Sequence, residues 1–121
     1  MRLEHVNLTV TDVDRSIAFY SELLGLRVRW QGPLDDGLAG AHVGDDAFYL
    51  ALFEASADGD VDHDYSRRGI NHFGFAVDDL DEARARLVRL GATIHIESDY
   101  APGRRLYFLD PDGYEVELVA Y

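Results

Sequence analysis

The sequence contains no cysteine and no lysine. Without cysteine there is no disulfide, no thiolate metal site and no thiol nucleophile. Without lysine, every side-chain cation apart from histidine is an arginine, and 11 of them face 23 acidic residues for a formal net charge of -12. Nucleic acid is therefore excluded as a partner, because phosphate contacts need clustered cations. Long apolar runs are also missing. The longest, Ala47 to Phe53, is far too short to span a bilayer, so no membrane partner is expected. Met1-Arg2-Leu3-Glu4-His5 lacks the apolar stretch of a signal peptide, which makes the cytoplasm the expected location. What remains is 121 residues, 47% hydrophobic and 28% charged, enough for one compact domain with its own core.

The most informative stretch is the last one, LYFLDPDGYEVELVAY at 106–121. Asp110-Pro111-Asp112-Gly113 is a tight turn: Pro111 presets φ and Gly113 accepts positive φ. The run that follows alternates as a half-buried strand does. Tyr114, Val116, Leu118 and Ala120 share one face; Glu115, Glu117, Val119 and Tyr121 share the other. Either the two glutamates form a solvated face, or Glu117 points into a cavity and binds a cation.

From the start of the chain, LEHVNLTV at 3–10 alternates as a strand, with Leu3, His5, Asn7 and Thr9 on one face. Asp12 or Asp14 can cap a helix carrying Ile17, Tyr20, Leu23 and Leu24, which Gly25 ends. Strands are expected at 26–31, 38–43 and 47–54, the last two joined by Gly44-Asp45-Asp46. Residues 55–68 hold alternating aspartates and little apolar material. They lack the glycine and the final glutamate of a calcium loop, and read as a solvated linker. The pattern then restarts: a strand at 70–77, a helix capped by Asp78 or Asp79 with Leu80, Ala83, Leu87 and Leu90, and strands at 92–98, 104–109 and 114–121. The expected architecture is α+β: two βαβββ modules in tandem, 1–54 and 69–121, within a single domain over 1–121.

The modules are an internal repeat. HVNLTVTDVD at His5 aligns with HFGFAVDDLD at His72, an offset of 67 (72 − 5), and Gly25 falls on Gly91 with one deletion. The 67-residue offset places Glu117 over Leu50. His5 and His72 thus occupy equivalent strand positions. Pseudo-twofold packing of the modules would bring both imidazoles toward Glu117. Two histidines and one carboxylate suit Fe(II), Mn(II), Zn(II), Co(II) or Ni(II), and three ligands leave positions open for substrate or water. His42, His63 and His95 have no symmetric partner and are read as surface or supporting residues.

Together, LEHVNLTVTDVDRSIAFYSELLGL at 3–26, NHFGFAVDDLDEARARLVRLGA at 71–92 and LYFLDPDGYEVELV at 106–119 resemble the vicinal oxygen chelate superfamily. That family includes glyoxalase I, fosfomycin resistance proteins, extradiol dioxygenases and bleomycin resistance proteins. The resemblance implies a cupped, partly open mixed sheet around a divalent transition metal held by His5, His72 and Glu117. It also implies a homodimer whose sites are shared between chains. Glyoxalase I would carry a fourth ligand, a glutamate, where this chain has Leu50, and Glu54 lies too far along the strand to replace it. Fosfomycin-modifying proteins carry Thr where this chain has Asn7, and their cationic pocket has only Arg104 and Arg105 to draw on. The dioxygenases carry a tyrosine matched by Tyr107, but their preceding histidine is replaced here by Ser98, Asp99 and Tyr100.

Two functions follow as expectations. One is a metal-dependent glyoxalase-like or dioxygenase-like enzyme, also compatible with fosfomycin-type transfer. It would act on a small substrate chelated through vicinal oxygens, with Glu117 and Tyr107 as catalytic candidates. The other is a metal-free small-molecule binder of the bleomycin-resistance kind, for which the acidic charge, Trp30 and the seven tyrosines are suited.

Overall fold

A computed structural model describes residues 1–121. Its elements in order are β1 (His5–Val10), α1 (Val13–Leu24), β2 (Arg27–Pro33), β3 (Ala39–Gly44), β4 (Tyr49–Glu54), β5 (Phe73–Ala76), α2 (Leu80–Arg89), β6 (Thr93–Tyr100), β7 (Gly103–Leu109) and β8 (Glu115–Ala120). The chain divides into two units, Met1–Gly59 and Asp60–Tyr121, each a βαβββ module with its own four-stranded mixed sheet.

In the first unit the strand order is β1-β4-β3-β2, with β1 parallel to β4 and the other pairs antiparallel. Asp12 starts α1 by accepting a 3.0 Å bond from the Arg15 amide. Gly25, at φ 67°, ends it and returns its N–H to the Ser21 carbonyl. Val13, Phe19, Tyr20 and Leu23 form the buried stripe of the helix. Leu8, Val10, Val43, Leu50 and Leu52 complete that core. Strand alternation puts His5, Asn7, Thr9, Trp30, His42, Tyr49 and Ala51 on the other face.

The second unit repeats the plan in the order β5-β8-β7-β6. Asp79 caps α2 through the Glu82 amide, and Gly91, at φ 72°, follows its end. Leu80, Ala83, Leu87, Leu106, Phe108, Val116 and Leu118 are buried. The turn before β8 is tied by Asp110, a buried carboxylate that accepts from the Asp112 and Tyr114 amides at 2.9 Å, while Gly113 takes φ 88°. Residues Gly74, Tyr107, Arg105, Glu115 and Glu117 lie on the face opposite α2.

Both sheets carry a bulge in the second strand, between Val28 and Trp30 in one and between Ile94 and Ile96 in the other. In each case the extra residue, Arg29 or His95, is re-aimed.

Three expectations change. The strand expected at 70–77 is shorter: Ile70 is exposed and His72 lies just before β5 rather than within it. β2 runs on to Pro33, two residues past the strand expected at 26–31. The register also moves the repeat's equivalence. Asn7 pairs with Ala51, and Gly74 pairs with Glu117. Glu117 therefore corresponds to Ala51, not Leu50, an offset of 66 (117 − 51). The single deletion that shifts Gly25 onto Gly91 persists into the last strand. Leu50 points into the core instead, fully buried.

Candidate functional site

Two of the three expected ligands meet in the second unit. His72 Nε2 lies 3.2 Å from Glu117 Oε2. Gly74, beside Glu117 in the ladder, has no side chain to crowd it; a Cβ there would come within 3.3 Å of the Glu117 Cβ. Tyr107 faces Glu117 across β7–β8 and meets His72 edge-on, with ring centroids 5.2 Å apart. Burial, then the neighbouring Glu117 charge, raise the Tyr107 pKa, so its phenol stays a donor at neutral pH. Arg105 approaches the outer oxygen of Glu117, Nη1 to Oε1 at 3.4 Å, and covers the Tyr100 ring.

Behind His72 is a network whose centre is Glu115. Its side chain is only 5% exposed, yet it sits next to Glu117 on the same face of β8. His95, swung round by the β6 bulge, donates from Nε2 to Glu115 Oε2 at 2.9 Å. The Tyr65 hydroxyl donates to Glu115 Oε1 and lies 2.9 Å from His72 Nδ1. Burial pushes the Glu115 carboxyl up, but the Tyr65 and His95 hydrogen bonds and the imidazole charges outweigh it and hold it below its ordinary range. The same network works the other way on Tyr65. Its phenol is pushed up to about 12, by burial first and then by the bond to Glu115.

These roles decide the His72 tautomer. A carboxylate only accepts, and a hydroxyl has one proton to give. Once Tyr65 gives its proton to Glu115, its oxygen can only accept from His72 Nδ1–H. A neutral His72 then turns the Nε2 lone pair toward a carboxylate oxygen, and a protonated one donates from Nε2 to it. At 3.2 Å the two atoms share either a proton or a metal ion, and an imidazole beside a carboxylate is a donor pair of the kind divalent metals take.

The first unit holds His5 in a comparable way. Its Nδ1 is 3.0 Å from Glu4 Oε1, which makes Nδ1 the donor and leaves Nε2 as the acceptor. Tyr49 also donates to Glu4, at 3.3 Å, and its ring stacks on His5 with centroids 4.9 Å apart. The stack continues through His42 at 4.4 Å to Trp30 at 5.3 Å, and Arg29 lies over Tyr49. Burial first, and then the Arg29 charge, lower the His42 pKa and favour its neutral form.

Other candidates are otherwise engaged. The Asn7 amide donates to the Ala51 carbonyl at 2.9 Å. Glu54 accepts from the Ala39 amide at 2.8 Å. Arg104 is bidentate on Asp81. In the segment expected to be a solvated linker, Asp62 and Asp64 pair with Arg67, but Tyr65 reaches the β8 glutamate. No group of three or more His, Asp or Glu side chains is arranged to hold a metal ion.

Sequence reasoning missed Glu115, Tyr65 and Glu4. Period-2 alternation already placed Glu115 on the face of Glu117, so that signal was present. Nothing local distinguished Tyr65, because its partners lie 7 and 50 residues away.

The family model for the Glyoxalase/Bleomycin resistance protein/Dioxygenase superfamily matches residues 2–118. The chain is 32% identical over 123 residues to the glutathione transferase FosA of Serratia marcescens, covering 96% of this chain and 78% of that protein. It is 31% identical over 125 residues to the lactoylglutathione lyase of Salmonella typhimurium, covering 98% and 92%. A solved glyoxylase/bleomycin resistance protein/dioxygenase domain from Frankia sp. superposes with a TM-score of 0.84 at 30% identity, over 99% of this chain and 97% of that one.

Proposed function

The chain belongs to the glyoxalase/bleomycin resistance/dioxygenase superfamily, and from that premise we propose that it is a metal-dependent enzyme whose small substrate is chelated through two vicinal oxygens. His5, His72 and Glu117 hold the metal. The observation that carries the reading is the approach of His72 Nε2 to Glu117 Oε2 at 3.2 Å, beside the Tyr107 ring. The His5–Glu4 bond supports it, since it engages Nδ1 and leaves Nε2 for a ligand. A divalent ion at these ligands supplies Lewis acidity to the substrate oxygens. Tyr107 donates a hydrogen bond to the substrate, and its raised pKa keeps the proton on the phenol.

The relatives' names span glutathione transfer, lactoylglutathione lysis and catechol dioxygenation. Ala51 stands where a second carboxylate would mirror Glu117, which favours addition or oxygen chemistry over isomerisation by paired carboxylates. The working form is a homodimer in the cytoplasm; no helix is long and apolar enough to cross a membrane. The metal is Fe, Mn, Zn, Ni or Co.

The test is elemental analysis of dialysed protein after reconstitution with each of the five ions. About one ion per chain is expected, with affinity reduced more than about 100-fold in His5→Ala and in His72→Ala. Failure of the native protein to retain any of the five would overturn the reading. It would favour a second one, in which the Trp30–His42–Tyr49–His5 rings and the charge of -12 sequester a flat cationic molecule without metal.

A further inference from the structure

We propose that Trp30, His42 and Tyr49 form a platform for a planar aromatic ring, and that Arg29 takes a carboxylate carried on that ring, so that the substrate class is an aromatic acid. As a statement about substrate it rests on the reading of the chain as an enzyme, but the platform itself is a property of the metal-free first unit.

The argument begins with the floor of the platform. Gly32 and Gly40 face each other across β2 and β3. The Trp30 indole lies over both: a Cβ on Gly32 would stand 3.1 Å from its Cζ2, and one on Gly40 would stand 3.3 Å from its Cζ3. Facing glycines weaken a strand pair, and they mark places where something approaches the backbone closely. Here it is the indole that approaches. Trp30 is still 42% exposed, because it lies on the sheet face opposite α1. Its outer side is open aromatic surface on a rigid base.

From Trp30 the rings continue across the sheet. His42 follows at 5.3 Å between centroids, Tyr49 stacks on His42 at 4.4 Å, and His5 stacks on Tyr49 at 4.9 Å. Aromatic pairs attract at such spacings, and a further flat ring laid on the stripe makes the same kind of contact. The stripe starts at His5, the first-unit metal ligand in the reading above. A substrate held there through its oxygens has aromatic surface beside it.

Local charge decides which ring. Arg29, re-aimed by the β2 bulge, sets its guanidinium 4.9 Å from the Tyr49 centroid and forms no ion pair. The carboxylates of the neighbouring strands and turn are engaged. Glu4 accepts from His5 and Tyr49, Asp45 from the Ala47 and Phe48 amides, Asp46 from Arg27, and Glu54 from the Ala39 amide. Arg29 is therefore the uncommitted charge beside the stripe. The net charge of -12 acts in the opposite sense, but it is spread over the molecule and screened beyond about 8 Å at physiological salt. A guanidinium in contact with a carboxylate is not screened in that way. The site thus favours an anionic ring over a cationic one.

Trp30 is the single tryptophan of the chain, so its emission reports on the platform directly. The experiment titrates metal-free protein, at about 0.15 M salt, with 4-hydroxybenzoate, 4-hydroxybenzylamine and cyclohexanecarboxylate, followed by Trp30 emission and by calorimetry. 4-Hydroxybenzoate should quench Trp30 saturably and bind about tenfold more tightly than either of the others. The amine carries the wrong charge for Arg29, and the cyclohexane ring is not flat. Arg29→Gln should weaken 4-hydroxybenzoate about tenfold and abolish its advantage over the amine. His42→Ala should reduce its advantage over cyclohexanecarboxylate. Arg84→Gln, at an ion pair of the second unit, should bind as the native protein does. Circular dichroism of each variant checks that it is folded. Absence of saturable quenching by 4-hydroxybenzoate, tighter binding of the amine, or an Arg29→Gln protein with the native preference would each overturn the proposal. Saturable, Arg29-dependent binding by a protein that retains none of the five ions would uphold the platform while the metal reading fell. One ion per chain without such binding would do the reverse.

Discussion

His5 and His72 each have Nδ1 beside a hydrogen-bond partner, Glu4 and Tyr65 respectively, and a ring held through one nitrogen can present the other, as the proposed ligand role requires. The equivalence of the two positions was legible in the sequence, because a repeat shows in the residues themselves. The hydrogen-bond partners were not, since Tyr65 and Glu115 are brought to His72 by the fold. The register was only half legible: a one-residue deletion reverses which neighbour faces the open side, and Ala51 rather than Leu50 is the counterpart of Glu117. This has a direct test. Ala51→Glu adds a carboxylate beside Asn7 and His42, at a position that is 5% exposed but on the face opposite α1, and should tighten divalent-metal binding about tenfold or more. Leu50→Glu would bury an unpaired carboxylate at a fully enclosed position, and should cost about 3 kcal/mol or more by denaturant unfolding. A Leu50→Glu protein more stable than Ala51→Glu would mean that the strand is in the other register.

At the scale of elements, capping chemistry and turn residues were readable in advance. Asp12 and Asp79 stand 67 residues apart and both cap helices. Gly113 takes the positive φ that the DPDG turn needs. What could not be read was how tightly the β3–β4 connection closes. Asp45 accepts from the Ala47 and Phe48 amides at 2.8 and 2.9 Å, and those two bonds hold its carboxyl below the usual aspartate range. A depressed folded-state pKa contributes stability above the unfolded value and loses it as pH falls through the folded one. The Asp45 contribution should therefore be complete above about pH 4 and fade under more acid conditions. Thermal midpoints of native protein and Asp45→Asn should converge as pH is lowered from about 6 toward 3; a gap that stays constant would remove Asp45 from the account. Gly44, at the same turn, is a harder constraint. A Cβ there would meet the Phe48 carbonyl oxygen at 2.0 Å and the Tyr49 Cα at 2.5 Å, both backbone. Gly44→Ala should destabilise by about 3 kcal/mol, whereas Gly59→Ala, with nothing within 4 Å, should be close to neutral.

For the whole molecule, the two-module plan was legible because each half repeats one order of strands and helix, and the boundary falls where apolar residues thin out. Which two modules share a metal is a question of assembly, which local patterns do not encode. If the ligands come from two copies of the chain, His5 of one serves with His72 and Glu117 of the other, and this can be tested by mixing defective proteins. His5→Ala and Glu117→Gln each spoil both sites of a homodimer. In a mixed dimer with shared sites, one site collects both lesions and the other collects none. Unfolding and refolding the two variants together in equal amounts forms mixed dimers as about half of the population, with one intact site each, so metal content should recover to about a quarter of the native value. If each site draws all its ligands from a single chain, every site retains one lesion and no metal returns. Recovery would also require that the dimer itself exists, so a mass measurement on the refolded mixture separates a monomer from a dimer with unshared sites.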